Sequence, residues 1–424
     1  MKSFDLKLFS LKNTSVLKLE STTTEIDDIV FCLLSIFAKE IDNEKHRITV
    51  EALQRKTEKL VEDIQDFVDI HKTHAPAIYK LKKFIDVIDD NEYFYVFQNT
   101  KLDTDQIIKI SNQLLAINES KDFDKLNSSI DDVFGYVLDN YNMFPFMGDK
   151  PTNVGEPNKK KRVCRFCHKR YPDVTFKKKA HAISESLGNK SIVANEECDS
   201  CNEKFGNGIE NDIIYYLSVH RSFFGIKGKE SDHPKLKGKN FSIKKSIDQT
   251  INFEFVGEDG DGGFPHKIDA HANEKICLQN IYRVLCKYAI SVITPDALSS
   301  LKKTIAWINE EYTPDQLPKV KVQLIYSFFS EQPSITIYHR KTNIKETPHI
   351  IGEFRFAYFV FIFVVPFSSQ DDKRFVSKEE FEGFWKKFYY SQGEVGNAWR
   401  TMNLSDSERR QLVFNIKFET ENNV

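Results

Sequence analysis

Two CxxC pairs are the residues of this 424-residue chain whose spacing best suits chemistry. Cys164 and Cys167 form the first pair, and Cys198 and Cys201 form the second. Four thiolates at such spacings can surround Zn²⁺ in a tetrahedron. The segment between the pairs is short and rich in lysine, so its own apolar core is small. We therefore predict a structural zinc ion whose binding free energy contributes to folding.

The residues between and after these pairs resemble the HNH (ββα-metal) endonuclease family over about residues 162–240. The family pattern is a CxxC pair, a histidine, an asparagine and then CxxCN, and this chain has His181 in the run AHAISESLGN, followed by Asn195 and Asn202. The similarity is greatest to a zinc-stapled CxxC…CxxCN subgroup. The resemblance implies a treble-clef ββα-metal core with structural zinc and an activity that hydrolyses phosphodiester bonds.

The resemblance also implies a role for each polar residue. His181 would be the general base, because a neutral histidine can take a proton from water near pH 7. Asn195 would fix the loop that orients the histidine. Asn202, expected in the first turn of a helix, would give an oxygen ligand to a catalytic Mg²⁺ or Mn²⁺ ion.

One position departs from the family pattern. Most members have a metal ligand immediately before the histidine, and this chain has Ala180 there. Glu210 is the replacement that we favour, and Glu185 is the alternative. The missing ligand leaves two other functions open, which are a non-catalytic zinc-dependent nucleic-acid-binding protein with a degenerate site, and an RNA nuclease.

The charge of the chain is unevenly distributed. Residues 1–150 carry a net charge of −8, residues 151–240 carry +7, and residues 241–424 carry −1. A basic centre favours contact with a polyanion, which we take to be DNA. Cationic side chains near the cysteine pairs would bind phosphates without reading sequence. We select as DNA-contacting candidates Lys160, Lys161, Arg162, Lys177, Lys178, Lys179, Arg221, Lys227 and Lys229.

The composition favours a cytoplasmic protein with no membrane segment. Cysteines in metal-binding spacing suit a reducing compartment, and the first residues contain no secretory signal. The longest apolar run, residues 354–367, is too short to span a bilayer and carries Arg355. Its aromatic and β-branched residues are typical of a buried strand or strand pair.

The pattern of apolar residues predicts an α+β protein in four parts. Residues 1–148 form a mostly helical domain that begins with a short hairpin, and residues 149–161 form a linker. Residues 162–240 form the HNH domain, and residues 241–424 form an α+β domain of unknown role. Near the C-terminus, residues 405–412 are predicted to be helical.

The flanking domains are the candidates for binding other proteins. A regulatory partner would contact residues 1–148 or residues 241–424. A homo-oligomer is also expected if the enzyme breaks both strands, because one HNH site cuts one strand. Bacterial proteins with this layout resemble effectors of phage defence or restriction.

Overall fold

The computed structural model describes most of the chain in two compact units, Met1–Leu138 and Asp139–Val424. Both units contain helices and sheets, so the predicted α+β class is confirmed. The described residues are 2–21, 25–42, 47–73, 75–98, 100, 102, 104–124, 135–149, 151–228, 235–246, 250–255, 267–324, 330–341, 346–388 and 399–417.

The N-terminal unit joins a four-stranded sheet, in the order β2-β1-β6-β5, to a set of helices. The predicted hairpin is confirmed, because β1 and β2 pair antiparallel. The described helices of the unit contain more residues than its strands, in agreement with the predicted helical domain. The elements are β1 Lys2–Phe9, β2 Thr14–Ser21, α1 Glu25–Ile36, β3 Ala38–Asp42, β4 Arg47–Val50, β5 Leu53–Arg55, α2 Glu58–His71, α3 Tyr79–Val87, β6 Tyr93–Gln98 and α4 Thr104–Glu119.

Alternation along β1 explains how this sheet packs. Phe4, Leu6 and Leu8 are buried, whereas the residues between them are half-buried. A strand of this kind turns one face to the core. The apolar residues of α2 and α3, such as Ile64 and Phe84, are buried in the same core.

The second unit is organised by a six-stranded antiparallel sheet in the order β18-β14-β17-β16-β15-β7. The predicted strand pair within residues 354–367 is confirmed, because β16 and β17 pair antiparallel. The strands of the unit are β7 Tyr141–Phe146, β8 Thr152–Val154, β9 Ile192–Ala194, β10 Lys235–Lys237, β11 Phe241–Lys245, β12 Ile251–Phe255, β13 Lys267–Cys277, β14 Val320–Leu324, β15 Ser334–Arg340, β16 Ile350–Phe356, β17 Phe359–Val364, β18 Arg400–Met402 and β19 Arg409–Lys417.

One helix of this unit, α8, is buried on all sides. Every residue from Gln279 to Val292 is buried, including Lys287. A helix enclosed in this way belongs to the centre of its domain. The helices of the unit are α5 Asp199–Asn207, α6 Glu210–Tyr216, α7 Ser218–Phe224, α8 Leu278–Val292, α9 Pro295–Leu298, α10 Lys302–Ile308 and α11 Lys378–Phe388.

The cysteine region and the C-terminal region share one hydrophobic core. Phe205 and Ile213 belong to the same buried cluster as Leu285, Trp307 and Phe354. Strand β7, which precedes the predicted linker, also pairs with β15 in the large sheet. The predicted domain limits at residues 148, 161 and 240 stay predictions. The shared core and the pairing of β7 with β15 join the cysteine region and the C-terminal region within the second unit.

The prediction of a helix at residues 405–412 is wrong. Residues Arg409–Lys417 form β19, which pairs antiparallel with β13. Leu412 is buried and Val413 is exposed, which is the alternation of a strand. The partner strand lies about 140 residues earlier in sequence, so local periodicity does not reveal it.

Membrane crossing has no support among the described residues. None of their helices combines the length and the apolar composition that a bilayer span requires.

The packing of β16 against β17 gives a stability prediction. A Cβ atom added at Gly352 would collide with the buried ring of Phe363. We expect Gly352→Ala to lower the free energy of unfolding of this unit by about 1–3 kcal/mol, because overpacking displaces neighbours. Calorimetry measures the effect. Gly383→Ala in α11 is the control, since nothing lies within 4 Å of the added atom. A thermal transition of Gly352→Ala equal to that of wild type would contradict the prediction.

Candidate functional site

The four cysteines predicted to bind zinc come together in the structure. Their sulfur atoms all lie within 4.8 Å of one another. The sulfurs of Cys167 and Cys198 are 3.7 Å apart. Zinc–sulfur bonds of about 2.3 Å in a tetrahedron place sulfurs about 3.8 Å apart, so the donor set fits Zn²⁺.

Each cysteine pair lies in a defined local structure. Cys164 and Cys167 lie in a tight turn between Val163 and Arg170, which form an antiparallel bridge. Cys198 is the N-cap residue of α5. Helix N-termini favour negative charge, so this position suits a thiolate. The cluster therefore joins the turn to the start of the helix.

Around the cluster the chain forms a short ββα unit. His181 bridges Val193 in antiparallel fashion. The amide of Ala182 donates to the carbonyl of Ile192 at 3.0 Å, and the amide of Ala194 donates to the carbonyl of Ala180 at 2.9 Å. Helix α5 follows directly. The pairing fixes the backbone of His181 beside the helix.

His181 opens onto a cleft of about 470 Å³ that Asn202 and Glu210 also line. The side chain of His181 is 13% exposed, and its Nε2 lies 3.9 Å from Glu185 Oε2. Burial lowers the pKa of His181 below its ordinary value, and the Glu185 carboxylate opposes this effect. The imidazole is therefore neutral near pH 7, which is the form that accepts a proton. The other residues that line the cleft are Lys178, Lys179, Ser184, Glu185 and Gly206.

Asn195 takes a different position from the other two predicted catalytic residues. It is buried, and its backbone N–H donates to the carbonyl of Val154 at 2.9 Å. Its Oδ1 accepts a bond from Arg162 Nη2 at 3.0 Å. These bonds hold the end of β9 against the preceding segment, and Asn195 is not among the residues that line the described cleft.

Comparison with known proteins bears on this arrangement. Residues 164–217 match the family model described as HNH endonuclease. This part of the chain is an HNH endonuclease domain. The four-cysteine cluster fits the zinc-bound form of such a domain. No curated protein and no solved structure matches the chain.

The floor of the HNH site includes a group that sequence reasoning missed. Lys287, from α8, is completely buried between two carboxylates. Its ammonium lies 2.9 Å from Glu197 Oε2 and 3.0 Å from Glu210 Oε1. It also donates to the carbonyl oxygen of His181 at 3.4 Å. A lysine is almost never fully buried unless it is paired, and here two acids pair with it.

The electrostatics of this three-residue group depend on its burial. Desolvation alone would lower the pKa of Lys287, but Glu197 and Glu210 outweigh it and raise that pKa above its ordinary value. Burial raises the pKa of Glu197 to about 7 against the opposing effect of Lys287. Glu197 and Glu210 together carry at most one negative charge more than Lys287 balances. Glu210, which lines the cleft, is the carboxylate through which this charge faces the site.

The second oxygen of Glu210 is also held. Ser184 Oγ donates to Glu210 Oε2 at 2.5 Å, and Ser184 Oγ lies 2.6 Å from the hydroxyl of Tyr288, the neighbour of Lys287 in α8. The one sequence signal for these contacts is a lysine within a helix that is otherwise largely apolar. Its partners could not be read from local spacing, because they lie about 80 residues away.

The side chain at position 180 offers no metal ligand in the usual place. Ala180 is buried, and its carbonyl oxygen is used in pairing with β9. Glu210 and Glu185, the two predicted replacements, both line the cleft. They differ in exposure, because the Glu185 side chain is 36% exposed and that of Glu210 is 11% exposed.

Most of the predicted DNA-contacting lysines are exposed. Lys178 and Lys179 line the cleft itself. Lys160, Lys161 and Lys177 are exposed elsewhere in the HNH region. These side chains are therefore solvent-accessible at and around the cleft, where Lys178 also pairs with Glu203 and Lys179 donates to the carbonyl of Lys190.

The remaining predicted contacts have varied surroundings. Arg162 is buried and donates through Nε to the carbonyl of Glu156 at 2.8 Å, so the structure places its guanidinium inside the fold. Arg221 is half-buried and donates to the carbonyl of Ile226 at 3.2 Å. Lys227 is exposed, and Lys229 lies outside the described residues.

Metal analysis tests the thiolate cluster. We expect about one zinc ion per chain, and we expect Cys198→Ser to lower the zinc content and the thermal stability, because one of four ligands is lost. Cys277→Ser is the matched control, since Cys277 is a buried cysteine outside the cluster. Folded wild-type protein without zinc would refute the assignment.

Proposed function

We propose that the protein is a metal-dependent endonuclease that hydrolyses phosphodiester bonds in DNA. The observation that carries this proposal is the convergence of His181 and Asn202 on one cleft, beside a four-thiolate cluster, within an HNH domain. A neutral imidazole, an amide oxygen and carboxylates in one cleft are the groups that hydrolysis of a phosphodiester requires.

In this proposal His181 accepts a proton from the attacking water as the new oxygen–phosphorus bond forms. The pairing with Val193 fixes the histidine backbone, and the lowered pKa keeps the ring ready to receive the proton. Asn202 and one of the two carboxylates, Glu210 or Glu185, would hold Mg²⁺ or Mn²⁺. When bound, such an ion neutralises charge on the phosphate and on the leaving 3′-oxygen.

The lysines around the cleft support a nucleic-acid substrate. Lys178 and Lys179 line the cleft, and Lys160, Lys161 and Lys177 add exposed cations in the same region. Such groups bind the phosphate backbone and not particular bases, so we infer little sequence preference from them.

We further propose a cytoplasmic role in phage defence or restriction. Reduced thiols in the zinc cluster suit that compartment. The N-terminal unit has its own core, and we propose that it binds a regulatory protein. Because one HNH site cuts one strand, a homo-oligomer would be needed for duplex breaks.

Plasmid cleavage tests the activity. With Mg²⁺ or Mn²⁺, we expect wild-type protein to nick supercoiled DNA and His181→Ala to be slower by about 10²-fold or more, because the general base is lost. His271→Ala is the control, since His271 is an exposed histidine that does not line this cleft. Equal rates for wild type and His181→Ala would reject the proposal.

Cleavage of single-stranded RNA in place of DNA would assign the substrate to RNA. If cells with the His181→Ala variant resist phage as well as cells with wild-type protein do, the defence role is rejected.

Two amide substitutions identify the carboxylate that replaces the ligand missing at Ala180. We expect Glu210→Gln to raise the Mn²⁺ concentration for half-maximal cleavage by about tenfold or more, because a carboxylate that lines the cleft is lost. Glu185→Gln should change it less. A titration of cleavage against Mn²⁺ measures both, and the opposite order would assign the role to Glu185.

A further inference from the structure

The carboxylate of Glu210 is held from both sides by one helix that lies outside the family-matched residues. Lys287 contacts Oε1, and Tyr288 contacts Ser184, which in turn donates to Oε2. Helix α8 begins at Leu278, whereas the HNH match ends at residue 217. The arrangement of the site thus depends on a part of the chain that is not contiguous with it.

We propose that α8 is a positioning element of the nuclease site and acts through Lys287 and Tyr288. The two residues set the direction in which Glu210 presents its carboxylate to the cleft. Lys287 also contacts the carbonyl oxygen of His181, so one ammonium joins the base and the acid. This inference rests on the proposed nuclease function.

The alternative role for Lys287, simple neutralisation of a buried acid, explains less of the geometry. Glu197, whose side chain is 1% exposed, already forms an ion pair with this lysine. A lysine that served only Glu197 would have no reason to lie 3.0 Å from Glu210 and to contact His181. Neutralisation also gives no reason for the hydroxyl of Tyr288 to lie beside Ser184.

The surroundings of α8 give it the rigidity that positioning requires. The hydroxyl of Tyr282 donates to the carbonyl of Val364 at 2.8 Å, which ties the helix to the large sheet. The ring of Tyr288 lies 5.5 Å from the ring of Phe354, on β16. Close-packed cores resist displacement of one element relative to another. The sheet therefore fixes the helix, and the helix fixes the carboxylate.

Mn²⁺ binding to the full-length, zinc-loaded protein tests the proposal directly. Removal of Lys287 alone would leave two buried carboxylates unpaired, so the comparison is made with Gln at position 197. We expect the Lys287→Met, Glu197→Gln double variant to bind Mn²⁺ about tenfold or more weakly than Glu197→Gln, because orientation by an outer residue is lost. Calorimetric titration gives the affinities, and plasmid cleavage gives the corresponding half-saturating Mn²⁺ concentrations.

Two further variants control for folding. Tyr288→Phe removes one hydroxyl and keeps the ring, so it tests the same proposal if the double variant does not fold, and we expect weaker Mn²⁺ binding. Lys321→Met with Glu382→Gln removes another buried lysine and its acid, 3.4 Å apart, in a part of the unit that does not line the cleft. We expect that pair to leave Mn²⁺ affinity unchanged.

The outcomes separate this inference from the proposed function. Wild-type protein that binds Mn²⁺ while the folded double variant or Tyr288→Phe binds it equally well overturns the role of α8 alone. Wild-type protein that neither binds Mn²⁺ nor cleaves nucleic acid rejects the nuclease function, and the role of α8 with it. An equal loss of affinity in the Lys321 control would also overturn the proposal, because the effect would then be one of general stability.

Discussion

The cluster of four cysteines is the constraint on which the HNH site depends. It joins the turn at Cys164 and Cys167 to the N-terminus of α5, and this helix carries Asn202 in its first turn. The segment that carries His181 lies between these two attachments in sequence. Four metal–sulfur bonds can therefore fix three short pieces of chain that have little regular structure of their own. In the proposed function, the reactive groups owe their positions to thiolates that take no part in the chemistry.

Burial of charge is the second constraint, and it acts beneath the cleft. Removing an ion from water is costly, so a buried ammonium requires partners that fully replace its hydration. Lys287 has three, which are the carboxylates of Glu197 and Glu210 and the carbonyl of His181. Displacement of any partner would leave the ammonium without one of the groups that replace its hydration. The group therefore favours a single arrangement of the cleft floor.

The sequence was informative where function depends on local spacing. The CxxC pairs, His181 and Asn202 lie within 40 residues, and the structure brings all of them to one small region. The strand pair within residues 354–367 was also recognisable, because its apolar residues are dense enough to indicate a buried sheet. Glu210 could be proposed as a cleft residue because it follows the second pair closely.

Non-local pairing explains what sequence reasoning missed. The sequence alone predicts a helix for the residues of β19, because their alternation has meaning only beside β13, far away in the chain. Lys287 lies in a helical pattern, and a lysine there normally marks an exposed face. Its burial follows from acids about 80 residues distant, which single-sequence patterns cannot place. Arg162 shows the reverse error, since a run of basic residues suggested a surface whereas its guanidinium bonds to internal carbonyls.

These two constraints together determine which parts of the chain the proposed nuclease site requires. The metal cluster can organise the matched residues locally, but the carboxylate at the cleft takes both of its orienting contacts from, or through, α8. That helix is enclosed by the core that the cysteine region shares with the large sheet. Truncation of the chain between residues 217 and 278 would remove Lys287, the partner of Glu197 and Glu210, and would expose the apolar surface on which α8 packs. The structural unit that holds the site is therefore larger than the family motif, and it extends at least through the helix that carries Lys287.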